Sequence, residues 1–294
     1  MNLLEYALLE KRYRIGNLDG RSNFHTHTFY CDGKDEPRLM VERALELGFG
    51  SIGFSGHQYS EPDANYAMSK EDEKKYIKDI RALAKEFKGR INVYLGIERD
   101  YACEAYEGFQ YVIGSCHHVL KDGVWLCVDA SPEVMEKGVR ELFGGDYMEY
   151  VKLYYEMEAK VLEKTHGQIV GHFDLVTKFN SGNKYFDENS EEYKRLAIES
   201  CDRIIDSFME SEGNKKLPAG FPTELGFLIE NTGMPIFEIN TGATVKGLRD
   251  IPYPAPFIIE HLADRGAPMI ISSDCHDRRY LDFGFGPLKN RYDI

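Results

Sequence analysis

Short apolar runs alternate along the chain with longer segments in which apolar residues recur at helical spacing. The short runs are rich in Ile, Val, Phe and Tyr, which is typical of strands buried on both faces. They are Ser22–Phe24, Ser51–Phe54, Ile91–Ile97, Tyr111–Gly114, Gln168–Val170, Pro235–Ile239 and Pro268–Ile271. Strands separated by helices in this way predict an α/β fold with a parallel sheet, either open or closed into a barrel.

The longer segments carry the residues that usually begin and end helices. Ser69 and Asp72 form a start like a capping box, apolar residues follow at helical spacing, and Gly89 ends the run. Further helical starts and stretches are Asp35 with Pro37, Ser131-Pro132, Asp146 with Glu149, Glu191–Met209 and Ala255-Pro256. The pattern therefore predicts helices on the outside of the sheet.

The domain organisation follows from the absence of any linker rich in Pro, Gly or Ser within the 294 residues, which predicts one domain. We expect a helix over residues 1–20 and a surface insertion over residues 211–223, a stretch with two lysines, two glycines and two prolines.

Composition narrows the class of partner. The chain has 36 basic and 49 acidic residues and a net charge of −13, which argues against binding to nucleic acid or to an anionic membrane surface. Acidic residues at the N-terminus and the lack of a long uncharged apolar run predict neither a signal peptide nor a membrane span. Six cysteines without a CxxC pair predict reduced thiols, so we expect a cytoplasmic protein that acts on a small molecule.

Candidate chemistry lies at the ends of the predicted strands, six of which are followed by a histidine or a carboxylate. In a parallel barrel these positions share the carboxyl-terminal face, where active sites form. The candidate metal ligands are His25, His27, Asp32, His57, Glu98, His117, His172, Asp274 and His276.

These residue types and spacings favour metal binding. His25 and His27 are two positions apart on an extended segment, so both face the same side and can chelate one ion. Imidazole suits zinc, iron and manganese, and a carboxylate such as Glu98 can bridge two ions. Alone, an HxH pair is a weak signal and a glutamate after a strand is commonly a helix cap or an ion-pair partner. Their joint occurrence predicts a multinuclear site of about three ions.

Two adjacent histidines follow the fourth predicted strand. Side chains alternate along an extended segment, so only one of His117 and His118 faces the metals. We select His117 because it shares a face with Ser115.

Seven motifs between Asn23 and Phe285 resemble those of the polymerase and histidinol phosphatase (PHP) family of phosphoesterases. They are HTHTFYCDG (25–33), FSGH (54–57), GIERD (96–100), YVIGSCHH (111–118), VGHFDLV (170–176), FEINTG (237–242) and SSDCH (272–276). The resemblance is greatest to the stand-alone histidinol-phosphate phosphatases of that family. It implies a distorted (β/α)7 barrel that resembles a TIM barrel and holds three divalent ions.

The resemblance also distributes the ligands among the ions. It implies that the first ion is held by His25, His27, Glu98 and Asp274. The second would be held by Glu98, His117 and His172, and the third by Asp32, His57 and His276.

The expected reaction is hydrolysis of a phosphate monoester, with L-histidinol phosphate in histidine biosynthesis as the substrate that the resemblance implies. A hydroxide held between the first two ions would attack phosphorus, so Glu98, His117 and Asp274 are the predicted catalytic residues. The general acid is unassigned, with His118 and Asp174 as candidates.

Residues that could bind the substrate lie just beyond the strand ends. The candidate phosphate clamps are Arg99, Lys178, Arg249 and Arg278, although each could be a solvated surface residue and Arg99 could instead orient Glu98. Glu238, Asn240 and Tyr253 are candidates to contact the imidazole and ammonium groups of histidinol phosphate.

Three alternatives stay open at this point. The chain could hydrolyse another phosphate ester, such as a nucleotide. It could be a binuclear amidohydrolase-type barrel, although that class would have a bridging lysine at the fourth strand, where this chain has His117-His118. It could also be a metal or nucleotide sensor without catalysis, although such a protein would need fewer ligands.

Overall fold

The computed structural model describes residues 14–17, 21–62, 65–211, 213 and 216–285. The strands are β1 (Arg14–Ile15), β2 (Ser22–Asn23), β3 (Ser51–Phe54), β4 (Asn92–Asp100), β5 (Tyr111–Ser115), β6 (His118–Lys121), β7 (Val124–Cys127), β8 (Ile169–Val170), β9 (Ile236–Asn240) and β10 (Pro268–Ser272). The α-helices are α1 (Pro37–Glu46), α2 (Lys70–Glu86), α3 (Pro132–Leu142), α4 (Tyr147–Glu158), α5 (Val161–Thr165), α6 (Glu191–Glu210), α7 (Thr223–Thr232), α8 (Gly242–Val245) and α9 (Pro256–Arg265). Short 3-10 helices cover Leu175–Thr177, Ser181–Asn183 and Arg278–Tyr280.

Eight strands form one parallel sheet in the order β1-β10-β9-β8-β5-β4-β3-β2. The sheet curls so that the segment after β2 meets the segment after β10. There Thr26 and Cys275 form a parallel bridge, and His27 N donates to Cys275 O at 2.9 Å. Below this bridge, the Asn17 amide donates to Ser22 O and to Ile271 O at 3.1 and 2.8 Å. The predicted α/β fold, a distorted (β/α)7 TIM-like barrel, is confirmed, and all seven predicted strands are present within it.

The helix starts follow the sequence signals. The Ser69 side chain accepts a hydrogen bond from Asp72 N at the start of α2, and the Ser131 side chain accepts from Val134 N at the start of α3. Each of these bonds satisfies a backbone donor that has no partner within its helix.

Three strands were not predicted. β6 and β7 form an antiparallel hairpin outside the barrel sheet, joined by Asp122-Gly123, both with positive φ. This dipeptide is a known signal for a two-residue hairpin turn, so the sequence did contain the information. β1 pairs with Pro268–Met269, so the expected N-terminal helix does not include Arg14–Ile15; residues 1–13 and 18–20 lie outside the described residues.

The predicted surface insertion over residues 211–223 is described only in part. Its described residues before Thr223 adopt no helix or strand, and α7 begins at Thr223. Among all described residues, no helix is both long enough and apolar enough to cross a bilayer.

The buried Tyr111 contacts the backbone just before the His25-Thr26-His27 segment. The Tyr111 hydroxyl donates to Phe24 O at 2.6 Å and also lies 3.1 Å from Phe54 O. Phe24 directly precedes His25, so this contact from β5 fixes the backbone from which the HxH pair projects. Gly96 provides room for the ring, because a Cβ at that position would clash with it.

Candidate metal centre

Glu98 lies at the centre of the histidine-rich end of the barrel and is 1% exposed. Its Oε2 lies 3.1 Å from His25 Nε2, 3.4 Å from His27 Nε2 and 3.1 Å from His57 Nδ1. Three imidazole nitrogens thus converge on one carboxylate oxygen that has no hydrogen-bond partner. In such an arrangement the lone pairs of the nitrogen and oxygen atoms point into the same space, where a cation could bind them.

The other oxygen of the same carboxylate faces a second pair of histidines. Glu98 Oε1 lies 2.9 Å from His172 Nε2 and 3.3 Å from His117 Nε2. The Ser115 hydroxyl donates to this oxygen at 2.7 Å and so fixes the carboxylate plane. The carboxylate therefore lies between two groups of donors, as a bridging ligand would.

Asp274 completes the side of the site formed by the HxH pair. Its Oδ1 lies 3.1 Å from His27 Nε2 and 3.5 Å from His25 Nε2. Its backbone has φ of 49°, a left-handed conformation that is rare outside glycine and that often marks functional positions. Gly242 packs against it, since a Cβ there would lie 2.9 Å from Asp274 Oδ2.

A third group of donors surrounds Asp32. Its Oδ2 lies 3.0 Å from His276 Nε2, and its Oδ1 lies 3.7 Å from both His57 Nε2 and His27 Nδ1. The His27 ring stacks on the His276 ring at 4.1 Å, which joins this group to the first.

Among the described residues, four overlapping sets of side chains each bring their donor atoms within 4.8 Å of one another. The sets are His27, Asp32, His57 and His276; His25, His27 and Asp274; His25, Glu98 and His172; and His57, Glu98 and His117. Buried donor atoms without a hydrogen-bond partner, including His25 Nε2, His27 Nε2 and Asp32 Oδ1, belong to these sets. Buried polar atoms are normally paired, so these donors fit divalent metal ions, for which nitrogen and oxygen ligands are suited.

A carboxylate and a backbone carbonyl orient two of the histidines by contacting the ring nitrogen that faces away from the cluster. His25 Nδ1 lies 2.8 Å from Glu238 Oε1, and His276 Nδ1 lies 2.9 Å from the carbonyl oxygen of Asp274. A neutral histidine that donates from Nδ1 keeps its lone pair on Nε2, and metal-binding histidines usually have such a partner. The same Nε2 atoms are the ones that face Glu98 and Asp32.

Electrostatics within the site keeps the carboxylates ionised. Burial raises the pKa of Glu98, but His25, His57 and His117 outweigh it and hold the pKa well below its usual range. Burial, followed by the charges of His276 and His57, lowers the pKa of His27 to about 3, so this imidazole is neutral and able to donate a lone pair.

The structure separates the two adjacent histidines as the alternation predicts. His118 Nδ1 lies 3.7 Å from Asp100 Oδ1 and its ring packs edge-on against Trp125, whereas His117 faces Glu98. Neither His118 nor Asp174 lines the pocket at the site, and Asp174 accepts a hydrogen bond from Ala255 N at 2.9 Å. Both stay predictions as candidates for the general acid.

Arg99, one of the predicted phosphate clamps, lies in the protein interior. It is 1% exposed and lies outside the pocket lining, and its guanidinium donates to Gln58 Oε1 at 2.5 Å, to Thr165 O at 2.5 Å and to Tyr106 O at 2.7 Å. These acceptors leave the guanidinium committed to the protein interior. It also does not contact Glu98, its neighbour in the chain, because successive side chains on a strand point to opposite faces.

The other two arginines predicted as phosphate clamps also lie outside the pocket lining. Arg249 pairs with Glu188 through NH1 and NH2 at 2.6 and 2.8 Å and donates to Thr177 O, so it is a buried structural residue outside the pocket lining. Arg278 lies on the surface with its Nε 3.6 Å from Asp35 Oδ1 and is likewise outside the pocket lining.

Lys178 does line the pocket, where its ammonium donates to Asp129 Oδ2 at 2.9 Å and to Asp129 O at 3.0 Å. Sequence reasoning missed three other polar residues of the pocket, which are Tyr66, Asp129 and Lys246. Lys246 follows the end of β9, so the rule used for the other strand ends would have found it. Tyr66 and Asp129 lie in connecting segments, for which the strand-end rule gives no signal.

Comparison with known proteins places this site in a recognised family. Residues 23–212, more than half of the chain, match the sequence model of the PHP domain. A Deinococcus radiodurans protein named "Probable histidinol-phosphatase" is 28% identical over 280 residues, which cover 91% of this chain and 91% of that protein. The Bacillus subtilis histidinol-phosphatase is 23% identical over 289 residues, which cover 91% of this chain and 97% of that protein.

Solved structures share the fold. The crystal structure of a candidate histidinol phosphatase from Listeria monocytogenes superimposes with a TM-score of 0.64 at 21% identity, over 90% of this chain and 97% of that one. The histidinol phosphate phosphatase of Lactococcus lactis, solved with zinc, L-histidinol and phosphate, gives a TM-score of 0.58 at 16% identity, over 92% and 93% of the two chains.

Proposed function

Because this chain belongs to the PHP domain family, we propose that it is a metal-dependent phosphatase that converts L-histidinol phosphate and water to L-histidinol and phosphate. The observation that carries the proposal is the position of Glu98, whose two carboxylate oxygens lie within 3.4 Å of five imidazole nitrogens. A cluster of this kind is suited to holding several divalent ions against one substrate group.

We propose three divalent ions, zinc, iron or manganese, distributed as the resemblance to the PHP family implies. His25, His27, Glu98 and Asp274 would hold one, Glu98, His117 and His172 a second, and Asp32, His57 and His276 a third. Ions in such sites supply hydroxide at neutral pH and neutralise the charge of the phosphoryl oxygens. His57 lies close to both Glu98 Oε2 and Asp32 Oδ1, which supports a compact cluster in which the third ion lies beside the first.

The remaining pocket residues suit a phosphate monoester. Lys178 and Lys246 place two cations beside the cluster, which favours a dianionic group there. Asp129 orients Lys178 through the two hydrogen bonds described above and leaves the third ammonium proton available to substrate. During hydrolysis the ester P–O bond breaks, water supplies the oxygen that joins phosphorus, and the leaving oxygen takes up a proton to become the alcohol of L-histidinol.

The choice of L-histidinol phosphate is supported by the names of the relatives. A phosphatase of the same family that acts on another ester, such as a nucleotide, is the alternative for the same site. The six cysteines are all free, which is consistent with the cytoplasmic location proposed from the sequence.

A substrate panel with defined metals tests the proposal. The purified protein, loaded separately with zinc, manganese and iron, is assayed on L-histidinol phosphate, AMP, a sugar phosphate, p-nitrophenyl phosphate, an amide and a lactone. We expect kcat/KM on L-histidinol phosphate to exceed that on the other phosphate esters by at least about 100-fold, since discrimination between substrates depends on polar groups of the site that only one of them can pair. Equal rates on all phosphate esters would contradict the substrate, and turnover only of the amide or lactone would contradict the reaction class.

A further inference from the structure

The Tyr253 hydroxyl is a buried hydrogen-bond donor that has no protein partner and belongs to a residue of the metal pocket. The side chain is 2% exposed, and no acceptor within the described part of the chain accepts from its hydroxyl. The residue lines the same pocket as His172, Lys178 and Asp274. Buried hydroxyls without a partner are rare and costly, so an unpaired one at a pocket wall points to a ligand that completes it.

Tyr253 is held firmly by the strand that also orients His25. Its backbone forms an antiparallel bridge to Asn240 at the end of β9, with Asn240 N donating to Tyr253 O at 2.7 Å and Tyr253 N donating to Asn240 O at 2.9 Å. The Asn240 amide in turn donates to Glu238 Oε2 at 3.1 Å, and Glu238 contacts His25. The phenol is thereby fixed relative to the metal donors without using its hydroxyl.

The ring lies next to the histidine that faces Glu98 Oε1. The Tyr253 and His172 ring centroids are 6.4 Å apart and the rings are nearly perpendicular. A phenol is protonated at neutral pH, so the hydroxyl can donate a proton in a hydrogen bond.

We propose that the Tyr253 hydroxyl is a further catalytic residue, which donates a hydrogen bond to an oxygen of the transferring phosphoryl group. A phosphoryl oxygen is the anionic acceptor that the reaction brings into this pocket, and a hydrogen bond to a charged acceptor is stronger than one to a neutral acceptor. This inference rests on the proposed phosphatase function. It adds a hydrogen-bond donor for the phosphoryl group on the side of the pocket where His172 lies.

A second tyrosine supplies a matched control. The Tyr150 side chain is completely buried, and its hydroxyl also lacks a partner among the described residues, yet it does not line the pocket. Replacing either tyrosine by phenylalanine removes one unpaired hydroxyl and retains the ring. The two variants therefore differ in whether the lost hydroxyl belongs to a residue that lines the pocket.

The test compares Tyr253→Phe and Tyr150→Phe with the unmodified full-length protein, each loaded with the same metal. Calorimetric titration with inorganic phosphate gives the Kd, metal analysis gives the ion content, and thermal unfolding gives the Tm. We expect Tyr253→Phe to weaken phosphate binding and to lower kcat/KM on all phosphate esters by about 10- to 100-fold, the value of one hydrogen bond to a charged group. Its metal content should stay unchanged, and neither variant should have a lower Tm, because each loses a buried hydroxyl that has no protein partner. Tyr150→Phe should leave the phosphate Kd, kcat/KM and metal content unchanged.

Several outcomes overturn the proposal. They are phosphate affinity and kcat/KM of Tyr253→Phe within twofold of the unmodified protein, a loss of bound metal from this variant, or an equal effect of Tyr150→Phe. A loss of kcat/KM confined to L-histidinol phosphate also overturns it, because the contact would then be to the alcohol portion. If the unmodified protein hydrolyses no phosphate ester, the proposed function fails, while the phosphate Kd values still decide whether Tyr253 contacts the anion.

Discussion

Glu238 Oε1 lies 2.8 Å from His25 Nδ1, and both side chains are fully buried. The contact connects β9 with the segment that follows β2, so a carboxylate from one side of the barrel sets the orientation of a histidine from another. Because Nδ1 is occupied by Glu238, the lone pair of His25 Nε2 faces Glu98 and Asp274. Glu238 therefore acts on the metal site through His25.

Replacing Glu238 by glutamine should weaken metal binding without unfolding the barrel. Loss of a carboxylate behind a metal-binding histidine typically costs about 10- to 100-fold in metal affinity. Metal titration with a competing chelator measures the change, and circular dichroism reports on the fold. The control is Glu260→Gln on the exposed side of α9, which should bind metal normally. An unchanged affinity in Glu238→Gln would show that His25 does not need this partner.

The two carboxylates of the cluster should differ in how many ions depend on them. Glu98 contacts five histidines, whereas Asp32 contacts the group around His276. We expect Glu98→Gln to lose more bound metal per chain than Asp32→Asn, and both to lose turnover by orders of magnitude. Elemental analysis of the purified variants measures the metal content. Equal metal loss in the two variants would contradict the proposed distribution of ions.

Gly242 should be needed for the position of Asp274. A Cβ on residue 242 would lie 2.9 Å from Asp274 Oδ2 and 3.1 Å from Asn240 Oδ1, so Gly242→Ala must displace a proposed ligand. We expect kcat to fall by about 10-fold or more, since small misplacements at reacting centres are costly. Gly226→Ala in α7 is the control, because its nearest neighbours are 3.6 Å away. That variant should keep full activity and gain up to about 1 kcal/mol in stability.

Arg99 and Lys246 should have opposite phenotypes. Arg99→Met leaves the acceptors Gln58 Oε1, Thr165 O and Tyr106 O without their donor, at a cost of about 3 kcal/mol or more. Thermal unfolding should show a clearly lower Tm. Lys246 is exposed at the pocket, so Lys246→Met should retain its Tm but raise KM for phosphate esters by about 3- to 10-fold, most strongly at low ionic strength. A normal Tm in Arg99→Met would show that its interior contacts contribute little.

Removal of metal should lower stability as well as activity. Without ions, the buried lone pairs of the cluster have no metal to bind. They belong to the carboxylates of Glu98, Asp274 and Asp32 and to the surrounding imidazoles. Ions bind the folded chain in preference to the unfolded one, so chelation should lower the Tm and added metal should restore it. Differential scanning calorimetry before and after dialysis against a chelator measures the effect. A Tm that is insensitive to the chelator, in protein shown to have lost its metal, would contradict a stabilising cluster.

The sequence pattern by itself predicted a parallel α/β sheet and the residues that could form its cluster, and the resemblance of its motifs to the PHP family implied that the sheet closes into a barrel. Short β-rich runs separated by amphipathic segments specify parallel strands, and parallel strands bring their carboxyl ends to one face, so local position was enough to group His25, Glu98, His172 and Asp274. The alternation of side chains along an extended segment selected His117 over His118, and the same rule applied to Arg99 would have directed it away from Glu98.

Tertiary structure decided what surrounds the cluster. Arg99 is fixed by acceptors from three separate segments, Glu238 reaches His25 across the barrel, and Tyr253 reaches the pocket from a loop bridged to β9. At a strand end, the alternation of side chains along the strand determines which way each side chain points. In a loop, or for a long side chain, the direction depends on the residues that it contacts. Those partners are distant in sequence, so only the folded chain could determine which of these side chains line the pocket.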